Sequence, residues 1–390
     1  SFIGVDLSLI SSDCPGMVFS FFSGSGFLDL GFEYEGFIPV LVNEVHPAFL
    51  AAYKHSRAKL GISAPRLGYL SKSIETLQHP TADAQLRHQI QQIRALGGPV
   101  GFIGGPPCPD FSNAGKHGGK DGPHGRLTQV YIDLIRTHQP DFFIFENVKG
   151  LMSNHAHHLH ELENQLKDAD YCFTTRLVNS LEYGVPQDRE RVIIVGFHTS
   201  LYFPSSLPCP RLLRLNDDFW QAEQVYDVQA VKALAWPTFE AFQAGRESAC
   251  PPGLLPELTI AHWFEKNRVE QHPNASKRFK PRAGLPRMQQ VDEGDVSRKS
   301  FKRLHRWRYS VTAAYGNNEV HLHPCQARRL SVAEVLAVQS MPLEFELPQD
   351  MTLTNMFKTV GNGVPFLMAR GIARSVKRHL KLLRSLEVAS

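Results

Sequence analysis

Six short apolar runs, at 17–22, 38–43, 100–103, 141–146, 172–178 and 191–197, alternate with longer stretches of helical periodicity. Runs this short, separated by helix-length segments, predict strands joined by crossover helices, and therefore an α/β fold with a largely parallel sheet. The runs at 100–103 and 141–146 end directly in Gly104-Gly-Pro-Pro-Cys108 and Glu146-Asn-Val148. In open α/β sheets ligands bind beyond the carboxyl ends of the strands, so both segments are predicted at the functional edge. From about 200 to 310 the pattern breaks into Pro-rich stretches at 204–210, 251–256 and 281–286, which predicts a separate, irregular module. Regular helix is expected again at 331–340 and, after a loop at 360–365, at about 366–384. No internal repeat or low-complexity tract appears.

The first run is followed by Phe22-Ser-Gly-Ser-Gly26 and a helix start, a strand-turn-helix in which backbone N–H groups can approach a nucleotide-like ligand. A glycine turn alone also serves packing. Here, however, the next run ends in Asn43-Glu44, twenty residues after Gly24, where an acid can bind ribose hydroxyls. Asp29 stands where a dinucleotide fingerprint has its third glycine, so a mononucleoside ligand fits better than NAD. Cys108 sits inside Pro-Pro-Cys-Pro at a strand end, where the prolines fix the backbone and present the thiol for attack; a buried structural thiol is the alternative. Residues 113–126 carry five glycines with Lys116, His117, Lys120 and Arg126, which predicts a mobile lid that seeks phosphate. Glu146 ends an apolar run and must be paired, capping or functional; Arg189 and Arg191 can supply the partner charge.

Net charge is only +4, but 277–308 holds eleven Lys/Arg against Asp292, Glu293 and Asp295, a balance of +8 that leaves −4 for the rest. Phe279, Phe301, Trp307 and Tyr309 interleave with these cations, as on a surface that grips phosphates; a plain solvated face is the alternative. No apolar stretch reaches the roughly 20 residues of a membrane span, and the first residues lack a basic-then-apolar layout. A cytoplasmic protein is therefore expected. The cysteines at 14, 108, 172, 209, 250 and 325 are scattered, predicting reduced thiols without structural zinc. His155, His157, His158 and His160 read as a solvated loop rather than a metal site, and no metal is expected.

With these residues in view, the chain resembles the cytosine-5 DNA methyltransferases of bacterial restriction-modification type, with seven family blocks in order over nearly its full length. Phe22–Gly31 resembles the S-adenosylmethionine loop, Glu44 the ribose acid, Gly105-Pro-Pro-Cys108 the nucleophile block, and Glu146-Asn147-Val148 the acid block. Gln187-Asp-Arg-Glu-Arg191 resembles the QxRxR block, Arg329–Glu334 a helix opening, and Gly361-Asn362-Gly363 the returning cofactor loop. The resemblance implies a methyltransferase fold with catalytic and cofactor-binding residues in 1–200. It implies a target-recognition domain in 201–345 and a segment, 346–390, that returns to the catalytic part.

It also implies Cys108, Glu146, Arg189 and Arg191 as catalytic residues. Phe22, Ser23, Gly24, Gly26, Asp29, Glu44, Ser73, Ile74, Pro106, Asn362 and Val364 are implied as contacts to S-adenosylmethionine. The implied substrate is a flipped-out cytosine in double-stranded DNA, read by a bacterial, stand-alone monomer beside a cognate restriction endonuclease on the same sequence. Three positions depart from the family pattern: Pro109-Asp110 follows the cysteine in place of Gln, Ser73 stands for Asp, and Phe27 for a second glycine. The alternative is a tRNA cytosine-5 methyltransferase of the same family. That branch carries Cys-Phe-Thr in its second domain, whereas here Cys172-Phe-Thr174 precedes the QxRxR block.

Overall fold

Strand periodicity becomes a two-faced sheet in the computed structural model, which describes residues 14–107, 123–202, 215, 218–298, 300–313, 315 and 321–389. The strands are β1 (Met17–Phe21), β2 (Ile38–Asn43), β3 (Tyr69–Leu70), β4 (Val100–Gly104), β5 (Phe142–Val148), β6 (Tyr171–Asn179) and β7 (Glu190–His198). They lie in the order β3-β2-β1-β4-β5-β7-β6. All six sequence-predicted strands form, and the α/β expectation holds. The two-residue β3 was too short to leave a sequence signal.

Pairing is parallel from β3 across to β5, while β7 runs antiparallel between β5 and β6. That reversal has a functional consequence. Val148 at the carboxyl end of β5 pairs with Arg191 near the start of β7, so the QxRxR block enters the sheet at the edge where the parallel strands leave it.

Alternate residues face opposite cores, as the period of two requires. Met17, Phe19, Phe21, Phe102, Phe143 and Phe145 pack with Leu86, Ile90, Tyr131, Ile135 and Leu162, from helices Pro80–Arg94, Pro123–His138 and Ala156–Asp168. On the other face Val18, Ile103, Phe142, Ile144, Ile193 and Val195 meet Leu28 and Phe32 from helix Phe27–Tyr34, and Met368, Ile372 and Val376 from helix Phe366–Ala389. The C-terminal helix thus covers the sheet that the first half of the chain builds.

Three local expectations are corrected. The segment 360–365 is not all loop, because helix Leu353–Asn362, capped by Thr352 Oγ on Asn355 N, runs through Val360 and Gly361. The histidines belong to a helix start: His155 is the N-cap of Ala156–Asp168, whose Leu159, Leu162 and Leu166 give it a buried stripe that also takes in His158. Among the described residues no group of three or more His, Cys, Asp or Glu is placed to hold a metal ion. Finally, the region after 200 contains short helices, among them Val228–Ala233, Ile260–Lys266 and Leu285–Gln289, and a two-stranded ladder of Lys302–Arg303 with His321–Leu322. Among the described residues no helix is long and apolar enough to cross a membrane.

Candidate active site

The turn after β1 owes its shape to an unusual density of left-handed backbone. Phe22, Gly24 and Gly26 have φ of 53°, 57° and 79°, and a non-glycine residue there is uncommon and strained. The strain is offset by bonds to the end of β2. Ser23 N and Oγ both donate to Asn43 O, at 3.1 and 3.2 Å, and Gly24 N donates to Glu44 Oε2 at 2.8 Å. Glu44 Oε1 accepts from His46 N at 2.7 Å, so the carboxylate is held at the sheet edge with lone pairs to spare. Among the described residues, a Cβ at Gly24 would meet only Thr359 Oγ1, at 4.0 Å, so they leave that side of the turn open.

The remaining expected cofactor residues divide. Ser73 is the N-cap of the short turn Ile74–Gln78, bonding Glu75, while Ile74 is buried in the core. Pro106 and Val364 are buried and Asn362 is exposed at the end of its helix. Thr359 Oγ1 lies 2.7 Å from Ser25 Oγ, which brings helix Leu353–Asn362 against the glycine turn. Asp29 is turned away from the open side. It is 1% exposed, and its two oxygens accept from Ser20 Oγ at 2.9 Å and Tyr53 Oη at 3.0 Å. Its expected cofactor contact is replaced by a place beneath the turn, because position three of this helix faces β1. Burial pushes its carboxyl pKa up to about 6 against attraction by Arg57.

Glu146 is 8% exposed and paired with Arg191, Nε to Oε1 at 3.1 Å. Burial raises its pKa above the ordinary carboxylate value, while Arg191 and Arg189 pull it back; a carboxyl so placed is readier to carry a proton. The first glycine after β4 makes room for it: a Cβ on Gly105 would stand 2.5 Å from Glu146 Oε2. Gly105, Pro106 and Pro107 lead toward Cys108, which with Pro109, Asp110, Lys116, His117 and Lys120 lies outside the described residues. Arg126, expected in the glycine-rich lid, instead sits on helix Pro123–His138 and is ion-paired with Glu75.

Arg189 does not reach toward Glu146 as its neighbour does. It is fully buried, with Nη1 on Ala313 O at 3.1 Å and Nη2 on Gly361 O and Gly363 O at 2.8 and 3.1 Å. Three backbone carbonyls from two distant segments hold its Nη groups, so the guanidinium expected on substrate is turned into the protein interior.

The basic segment is likewise only partly a surface. Arg303 is wholly buried, donating to Met288 O, Val291 O, His323 O and Gln326 O. Arg306 makes a paired bond to Glu293, Arg308 bonds Pro237 O, and Trp307 Nε1 bonds Ser248. Arg278, Lys280, Arg287 and Arg298 are exposed. Arg329–Glu334 does open a helix, with Ser331 and Glu334 forming a reciprocal cap and Arg328 forked onto Glu334. Cys172, of the Cys-Phe-Thr tripeptide, is buried within β6. Sequence reasoning named Gln187 only as part of its block and missed Gln339, Tyr53 and Arg57, whose part is visible only once distant segments meet.

The chain is similar to known proteins over nearly its whole length. Residues 16–378 match the family model of C-5 cytosine-specific DNA methylases. The Type II methyltransferase M.NmeDI of Neisseria meningitidis serogroup C is 52% identical over 97% of this chain and 87% of its own length. M.MthTI of Methanothermobacter thermautotrophicus is 29% identical, covering 93% and 97%. Among solved structures, the Entamoeba histolytica methyltransferase EhMeth superposes with a TM-score of 0.56 at 14% identity, over 94% of this chain and 98% of that one. The Dnmt2 methyltransferase of S. pombe gives 0.55 at 13% identity, over 94% and 97%; at such identities the likeness concerns the fold alone. With a family model spanning nearly the whole chain and a relative matching half of its residues, the chain belongs to the C-5 cytosine-specific DNA methylases.

Proposed function

We propose that this methylase, like the Type II methyltransferases it resembles, modifies a specific sequence in double-stranded DNA, taking the methyl group from S-adenosylmethionine. The observation that best supports the reading is the Glu146–Arg191 pair at the meeting of β5 and β7, with Gly105 cleared for it three residues before Cys108. Cytosine C5 is too weak a nucleophile to take a methyl group directly. In the proposed step the Cys108 thiolate bonds to C6, and the electron pair of the C5–C6 double bond becomes available at C5. Glu146 hydrogen-bonds or protonates N3, and Arg191 orients both the acid and the O2 edge. After transfer a base removes the C5 proton, the double bond re-forms and the thiolate leaves. The target base must leave the stack to be reached.

The residues of the glycine turn fit a nucleoside-bearing methyl donor. Glu44 is held for ribose hydroxyls, the turn is open at Gly24, and Phe22, Ser23, Gly26, Pro106, Asn362 and Val364 surround it in this proposal. When bound, the sulfonium group supplies an activated methyl. A partner endonuclease and a monomeric state remain part of the same reading.

The test is covalent trapping. Wild-type protein, given S-adenosylmethionine and duplex DNA with 5-fluorocytosine at its site, should form an adduct stable to denaturation, and Cys108→Ser should form none. Normal turnover by Cys108→Ser would sink the mechanism, and preference for a tRNA transcript over duplex DNA would sink the substrate.

A further inference from the structure

Beneath the glycine turn lies a buried charged cluster that neither the fold nor the chemistry so far explains. Arg57, on helix Pro47–Lys59, is 2% exposed. Its Nη2 donates to Gly26 O at 2.7 Å and pairs with Glu33 Oε2 at 2.7 Å; its Nη1 reaches Ser56 Oγ at 3.2 Å and Ser25 O at 3.4 Å. The guanidinium carbon stands 4.1 Å from the centroid of the Tyr53 ring, and Tyr53 Oη is bonded to Asp29.

Burying a guanidinium is costly, and it is retained where geometry needs a rigid fork of donors. The geometry here is that of Gly26, the N-cap of helix Phe27–Tyr34, with φ 79° and ψ 36° and no side-chain cap. Its carbonyl already starts the helix by accepting Leu30 N at 3.0 Å. Arg57 takes the second lone pair of that carbonyl and reaches the carbonyl before it. Tyr53 and Arg57 also close the space on the inner side: a Cβ on Gly26 would come within 2.5 Å of the Tyr53 ring and 2.7 Å of Arg57 Nη2. The two carbonyls are therefore drawn inward, and the peptide units of the turn are set for the open side. Phe27, in place of a second glycine, packs edge-on against Phe345 at 5.2 Å, so the turn leans on side-chain supports.

We propose that Arg57, braced by Glu33 and Tyr53, is a positioning residue for the methyl donor, holding residues 23–26 in the shape that binds it. The proposal rests on the cofactor reading above. The cluster acts through the turn and touches no reacting atom.

The experiment is calorimetric titration of S-adenosylmethionine into the intact protein, beside DNA affinity measured on the same preparations. Arg57→Lys keeps a cation for Glu33 but cannot bridge both carbonyls; its dissociation constant should rise about tenfold at unchanged stoichiometry, with DNA affinity within twofold of wild type. Arg57→Met should rise further. A purely structural role predicts the opposite split: fewer binding-competent molecules, hence lower stoichiometry, with the dissociation constant unchanged in those that fold. That result, or unaltered binding by folded Arg57→Lys, overturns the proposal. Should Arg57→Met not fold, Arg57→Lys still decides, since it keeps a cation beside Glu33 and most of the side-chain volume. Absence of binding by the wild-type protein would instead overturn the cofactor reading itself.

Discussion

A single methyl group added at Gly105 should cripple catalysis while leaving the cofactor site intact. Gly105→Ala needs no forbidden backbone angle, since its φ is not among the positive values. The difficulty is that its Cβ would lie 2.5 Å from Glu146 Oε2, when the carboxylate is already committed to Arg191 at 3.1 Å. Side chain and acid cannot both keep their places. The cheaper relief is for the carboxylate to swing away, which loses a charge-assisted hydrogen bond worth about 1.5–3 kcal/mol. If that bond orients the acid in the transition state, kcat falls by roughly 10- to 150-fold at 1.36 kcal/mol per decade. The assay is transfer of labelled methyl to duplex DNA at saturating cofactor, with cofactor affinity measured separately. Because the Glu44 end of the site is built from β1 and β2, that affinity should stay within twofold. A double-mutant cycle makes the cause explicit: in a Glu146→Asp background the shorter acid clears the new methyl group, so adding Gly105→Ala should cost much less. A kcat within twofold of wild type for Gly105→Ala, or equal penalties in both backgrounds, would refute the reasoning.

Other outcomes follow from the same geometry. Glu44→Ala should weaken S-adenosylmethionine binding by about 1.5–3 kcal/mol, read by calorimetry; unchanged affinity would move the ribose contact elsewhere. Asp29 has a folded-state pKa of about 6 against an ordinary 3.8. The folded state therefore holds this proton more tightly, and the group's contribution to stability is full below the lower value and declines as pH rises toward the higher. Relative to wild type, Asp29→Asn should thus gain about 2 kcal/mol between pH 4 and pH 7, and parallel urea-unfolding profiles would count against this. Arg278→Ala with Lys280→Ala should weaken binding to all DNA alike and flatten the log–log salt dependence by roughly one unit per lost phosphate contact. A change confined to one sequence would give these exposed residues a base-reading role instead.

The sheet was legible because its strands are buried on both faces and so read as plain apolar runs, with Gly104-Gly-Pro-Pro and Glu146-Asn-Val marking their ends. What escaped has physical reasons. The antiparallel β7 leaves the same apolar signature as a parallel strand, so direction is invisible in 191–197. Helix through 353–362 was obscured by Gly361 and Gly363, turn-like in sequence but packed in place by Arg189 and Gln339. Cation counting treated Arg303 like Arg298, although one is wrapped by four carbonyls and the other exposed. Local composition cannot separate a buried guanidinium from a solvated one, because the acceptors come from segments 12 to 23 residues away.

The side chains of the QxRxR block go to different places. Gln187 and Arg189, just before β7, both turn to Ala313, while Arg191, within the strand, turns to Glu146. Gln187 donates to Val338 O and Gln339 Oε1, and its own Oε1 accepts from Ala313 N. Arg189 binds Ala313 O, Gly361 O and Gly363 O, and Gln339 Nε2 binds Val360 O and Gly363 O. Between them, Asp188 N donates to Ser310 O, and Thr312 Oγ1 donates to Asp188 O. The block therefore begins in a clasp that joins residues 310–313, at the exit of the basic segment, to the glycines at the end of helix Leu353–Asn362. It ends at Glu146. That helix in turn touches the glycine turn after β1 through Thr359 and Ser25. One short strand entrance thus fixes the exit of the basic segment, the acid and the returning loop relative to one another, and an arginine without solvent access is the means. This explains why two arginines two residues apart, alike in sequence, have different work to do.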